Sequence, residues 1–99
     1  MDLNKYQFLK ELKKMPVIEK IWLYGSWARG DARLNSDIDL AIDCPGATDF
    51  DWQQIKNIIS EADTLRGIDV VRFDTLQAGA FKNTVMRDKK LIYQRNNNE

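Results

Sequence analysis

Apolar and polar positions alternate along this chain with two different periods. Phe8, Leu9, Leu12 and Met15 recur at helical spacing, and Lys10, Lys13 and Lys14 fall mostly off that stripe. The pattern predicts a helix over residues 3–15, ended by Pro16. Residues 18–24 are rich in β-branched and aromatic types and predict a strand. Gly25-Ser26 breaks that strand, and a short helix through Trp27, Ala28 and Arg29 should end near Gly30. Residues 31–36 are polar and read as a loop. Residues 37–43 begin as alternating acid and apolar positions and predict a second strand, closed by Cys44-Pro45-Gly46. Thr48 stands three residues before Asp51, the spacing of a capping box, and Trp52, Ile55, Ile59 and Ala62 give the following helix a buried stripe. Gly67 stops the next loop. Residues 68–73 predict a third strand, 76–87 a helix, and Leu91-Ile92-Tyr93 a short last strand.

Strands and helices therefore alternate, the pattern of an α/β layered domain. The 99 residues suit one small domain, and no repeat or linker divides them. Residues 1–95 read as that domain and 96–99, within an Asn-rich end, as a disordered tail. No apolar run approaches the roughly 18 residues of a membrane span, and the N-terminus lacks the basic-then-apolar layout of an export signal. A cytoplasmic protein is the expectation. The exposed aromatics expected of a small sheet domain leave self-association open.

Composition narrows the chemistry. There is no histidine and one cysteine, Cys44, so triads with His, internal disulfides and Cys-rich zinc sites are excluded. Carboxylates, hydroxyls, amines or a bound metal must act instead. Net charge is zero, which argues against strong nucleic-acid binding. The zero conceals a segregation: residues 1–30 carry +3, residues 31–63 carry −6 and residues 64–95 carry +4. That is either ordinary surface scatter or a cation site framed by groups that hold a polyanion.

Three features carry candidate chemistry. Gly25-Ser26 lies where a strand turns into a helix, whose first N–H groups lack internal partners and can cradle phosphate; equally, Gly25 could serve the turn and Ser26 the cap. Asp37 and Asp39 are two apart on a predicted strand, so both carboxylates point the same way, about 6.5–7 Å apart along the chain. They are oxygen donors suited to Mg²⁺, or else an exposed polar face. Asp69 interrupts the apolar run Ile68-Asp69-Val70-Val71. If its strand lies beside residues 37–40, three carboxylates surround one patch, which can hold two metals about 3.5–4 Å apart. Alternatively Asp69 sits on an exposed face or pairs with Arg66 or Arg72. Gly, Ser and two Asp at fixed spacing arise by chance in about one such chain per thousand.

The segment Gly25-Ser26, ten residues, then Asp37-Ile38-Asp39 resembles the nucleotidyltransferase superfamily typified by DNA polymerase beta. The fuller string, Gly-Ser-Trp-Ala-Arg-Gly followed by Ser-Asp-Ile-Asp-Leu, is similar to its minimal nucleotidyltransferases. The resemblance implies a mixed sheet of three to four strands packed against helices. It implies Asp37, Asp39 and Asp69 as catalytic, metal-binding carboxylates for two Mg²⁺ ions, with ATP as substrate. Gly25 and Ser26 would hold its terminal phosphates. Arg29, at the Ala-Arg-Gly position, would touch phosphate or pair with an acid such as Asp31. The implied reaction is attack of a hydroxyl on the α-phosphorus of a nucleoside triphosphate. Minimal proteins of this kind are often encoded beside a helical partner, either a substrate-binding subunit or a HEPN-type toxin. In the best-understood pairs they transfer AMP to a toxin tyrosine and so act as antitoxin. Occlusion of the partner without catalysis, or a small-molecule acceptor, are the competing readings. Trp27 is expected near the surface, for partner contacts or packed on Leu34.

Overall fold

The computed structural model describes residues 3–95. A 3-10 turn (Leu3–Lys5) precedes α1 (Gln7–Lys13). Then come β1 (Lys20–Tyr24), α2 (Gly25–Arg29), β2 (Ile38–Asp43), α3 (Asp49–Ser60), β3 (Ile68–Arg72), α4 (Ala80–Asp88) and β4 (Lys90–Gln94). The strands form one mixed sheet in the order β3-β2-β1-β4. β1 is antiparallel to β2 and β4, and β2 is parallel to β3. The reading of 96–99 as a disordered tail lies outside the described residues. Among the described residues no helix is long and apolar enough to cross a membrane.

Period-two alternation splits each strand between two faces. Ile21 and Leu23, Ile38, Leu40 and Ile42, and Ile68 and Val70 meet one helix layer, where Leu9 and Leu12 of α1 and Ile55 and Ile59 of α3 are buried. On the other face Trp22, Ala41 and Val71 lie in register and pack with Val85 of α4, Phe73 and Leu76. Helices thus cover both faces, as an α/β layering requires.

Most predicted elements are present with shifted ends. The helix expected over 3–15 is broken at Tyr6, whose extended backbone (φ −84°, ψ 134°) sends its buried side chain to Thr64 and Arg66. The last helix starts at Ala80 instead of residue 76, because Leu76 is extended and Gly79 sits at φ 154°. The strand expected from residue 18 starts at Lys20, and the one expected to reach 73 ends at Arg72, where Phe73 opens a 3-10 turn. The capping box forms as expected. Asp51 N–H donates to Thr48 Oγ1 (3.1 Å) and Thr48 N–H donates to Asp51 Oδ2 (3.0 Å).

Candidate active site

The site lies at one end of the sheet face that α4 partly covers. In the cross-strand register Tyr24 faces Asp39, and Asp39 faces Asp69. Directly paired residues of adjacent strands project to the same side, so these three form one row across β1, β2 and β3. One row inward is Trp22, Ala41 and Val71, sealed by α4. The acids therefore sit where the apolar cover stops. Phe81, in the first turn of α4, stands edge-on to the Tyr24 ring at 6.0 Å between centroids.

The electrostatics follow from that row. Burial, then the negative charges of Asp69 and Asp37 and a hydrogen bond shared with Asp69, push the Asp39 carboxyl above its ordinary value; Arg29 opposes this weakly. Burial, aided by Asp39 and Asp69, pushes the Tyr24 hydroxyl up to about 12. Tyr24 stays neutral at physiological pH and leaves the cluster's negative charge uncompensated.

Two glycines lie beneath the carboxylates. Gly25 takes φ +73° at the strand-to-helix turn, and a Cβ there would collide with Asp39 Oδ2. Asp37 precedes β2 by one residue, is exposed, and rests its carboxylate over Gly67. α2 begins at Gly25 itself, two residues earlier than the short helix expected through Trp27. That puts both Gly25 and Ser26 in its first turn.

The structure thus brings Asp39 and Asp69 together, and Asp37, just outside β2, is near enough for its charge to act on Asp39. Among the described residues no three acids close into a ready-made cation cage. A clustered set of hard oxygen donors, with the Asp39 carboxyl held above its ordinary value, nevertheless fits a divalent cation, which would supply the charge the cluster lacks. Of the alternatives for Asp69, neither arginine takes it. Arg72 bonds Asp74 and the carbonyls of Cys44 and Ala47, and Arg66 bonds the Leu34 carbonyl.

Arg29 is engaged by acids. It reaches Asp31 at 3.1 Å and Asp88 at 2.9 Å, and Arg87 meets Asp88 at 2.9 Å. Sequence reading named the Asp31 pair but missed Asp88. The only hint was its place in the last turn of a helix, flanked by Arg87 and Lys89. Trp27 does not pack on Leu34, which is 86% exposed; its indole N–H donates to the Ser36 carbonyl at 3.1 Å. A cavity of about 380 Å³ opens elsewhere, between α3 and β3. Ile68 and Val70 line it, and they alternate with Asp69, so it belongs to the opposite face.

Residues 7–98 match the family described as Polymerase beta, Nucleotidyltransferase. The chain belongs to that family. No curated protein matches it. Among solved structures, this nucleotidyltransferase domain is similar to a mutant of the toxin-antitoxin MntA-HpeT, with 23% identity, TM-score 0.66, and coverage of 96% of this chain and 74% of the other. It is also similar to a toxin-antitoxin solved with AMP-PNP, with 21% identity, TM-score 0.64 and coverage of 90% and 69%. A candidate nucleotidyltransferase from Sulfolobus solfataricus gives 23% identity, TM-score 0.59 and coverage of 90% and 76%. At these identities the likeness establishes the shared fold.

Proposed function

We propose that the chain transfers a nucleoside monophosphate, AMP from ATP, to a hydroxyl. The acceptor is a tyrosine of a helical HEPN-type toxin, so the chain acts as its antitoxin. The observation that carries this reading is the register that sets Asp39 against Asp69, with Asp37 two residues away and the Gly25-Ser26 turn directly under Asp39. Asp37, Asp39 and Asp69 would hold Mg²⁺, which when bound neutralises charge on the reacting phosphate and lowers the acceptor's pKa. Gly25 and Ser26 hold the terminal phosphates by backbone N–H groups and the serine hydroxyl. Asp69 takes the proton from the acceptor hydroxyl as its oxygen bonds the α-phosphorus. The bond from the α-phosphorus to the bridging oxygen breaks, and pyrophosphate leaves. Arg29, held between Asp31 and Asp88, lends its positive charge to the phosphate side of the site. The toxin-antitoxin neighbours support the choice of a protein acceptor.

The test is intact-mass measurement of a helical HEPN-type toxin after incubation with the chain, ATP and Mg²⁺. A gain of one or more AMP units, absent with Asp39→Ala, is expected. A partner that is inhibited yet unmodified would assign the role to occlusion instead.

A further inference from the structure

Asp37 is exposed and, unlike Asp39 and Asp69, lies outside the strands. Loop residues usually lose precision for that reason, and a metal ligand needs a defined position. Three side chains or backbone groups from other elements close on this one. The Trp27 indole N–H of α2 donates to the Ser36 carbonyl, one residue before Asp37. The guanidinium of Arg66 lies 5.0 Å from the Trp27 ring centroid and donates to the Leu34 carbonyl. The Arg66 guanidinium also lies beside the Tyr6 hydroxyl, whose pKa it helps to lower. The Gly67 carbonyl accepts the Ile38 N–H at 2.8 Å, immediately after Asp37.

Gly67 contributes by lacking a side chain. A Cβ there would stand 2.6 Å from Asp37 Oδ1, so the carboxylate occupies the space that any other residue would fill. Gly67 is not among the glycines with positive φ, so its backbone does not require glycine. The requirement comes from the carboxylate alone. We infer that Trp27, Arg66 and Gly67 form a clasp that seats Asp37 for cation binding. They are positioning residues: none of them touches the reacting groups. The inference rests on the nucleotidyltransfer reading of Asp37.

The measurement is the Mg²⁺ concentration at half-maximal rise in Tm, taken with the non-hydrolysable α,β-methylene-ATP on the full chain. Gly67→Ala should raise that midpoint about tenfold or more, the usual cost of disturbing a group that orients a ligand. Its Tm without metal should stay close to wild type, because alanine fits the backbone. Trp27→Phe, which keeps a ring but drops the indole donor, should move the midpoint in the same direction, and carries the test should Gly67→Ala fail to fold. Gly46→Ala is the control: its Cβ meets nothing within 4 Å and its φ is not positive, so the midpoint should not move. In an Asp37→Asn background, Gly67→Ala should add no further shift. Wild-type midpoints in both Gly67→Ala and Trp27→Phe would overturn the clasp alone, as would an undiminished shift in the Asp37→Asn background. A wild-type chain with no Mg²⁺ response would overturn the nucleotidyltransfer reading and the clasp with it.

Discussion

Asp39→Asn should stabilise the metal-free protein while removing its response to metal. Asp39 and Asp69 are register partners on adjacent parallel strands, so their side chains are about 5 Å apart at the strand spacing. Two unit charges at that distance repel by about 3 kcal/mol at an effective dielectric of about 20, and by about 0.8 kcal/mol in water. Asp69 is exposed and Asp39 only partly buried, so solvent and salt screen the pair toward the lower figure. Burial of the Asp39 charge adds to the penalty, and asparagine removes both while keeping the shape. A gain of about 1 kcal/mol follows, equivalent to a Tm rise of about 4–8 °C for a domain of this size. The assay is thermal unfolding by circular dichroism at pH 8, with EDTA and then with Mg²⁺ and α,β-methylene-ATP. The wild type should gain Tm on adding metal and nucleotide, and the variant should gain little. A variant that is less stable than wild type in EDTA would refute the electrostatic reasoning. One that keeps the full metal response would refute the assignment of Asp39 as a ligand.

Other consequences follow from the same structure. Arg72→Ala should lower Tm by about 8–16 °C, since it strips the Cys44 and Ala47 carbonyls of a charged donor costing about 2 kcal/mol, while leaving the Mg²⁺ midpoint unchanged; an unaltered Tm would show the clamp to be idle. The hydrogen bond from Arg87 first, and that from Arg29 next, hold the Asp88 carboxyl below its ordinary value. Its stabilisation is therefore complete above the unfolded value of about 4 and disappears as pH falls through the lower folded value. The Tm gap between wild type and Asp88→Asn should be full at pH 6 and close on acidification, and a gap that widens toward low pH would contradict this. Burial, then the charge of Asp74, pushes the Cys44 thiol up to about 12, so a disulfide reagent at pH 8 should label Cys44 only as fast as the protein unfolds. Prompt labelling of the native chain would contradict its placement.

Short-range chemistry was legible in the chain before any coordinates. The capping box at Thr48 and Asp51, the turn at Gly25-Ser26 and the alternation that sends Ile38 and Leu40 inward all depend on neighbours a few residues apart. The strand alternation expected to put Asp37 and Asp39 on one face holds for Asp39 alone, because Asp37 lies one residue before β2. The same local reasoning erred where a distant contact overrules it: Tyr6 interrupts a helical stripe with its hydroxyl beside Thr64 and Arg66.

What sequence alone determined is the chemical kit: two acids at fixed spacing, a glycine-serine turn, and a third acid in an apolar strand. Tertiary structure decided which of these meet. The register of β2 on β3 is a choice among slips, and a slip by one residue would turn Asp69 to the face packed on α1 and α3. It is settled by burying Ile68 and Val70 against the helix-covered core, a packing energy spread over residues far apart in the chain. The tie of Arg29 to Asp88 spans 59 residues, and the seat of Asp37 over Gly67 spans a whole crossover. Neither leaves a periodic mark, because periodicity records only which face a residue shows and never what stands opposite it.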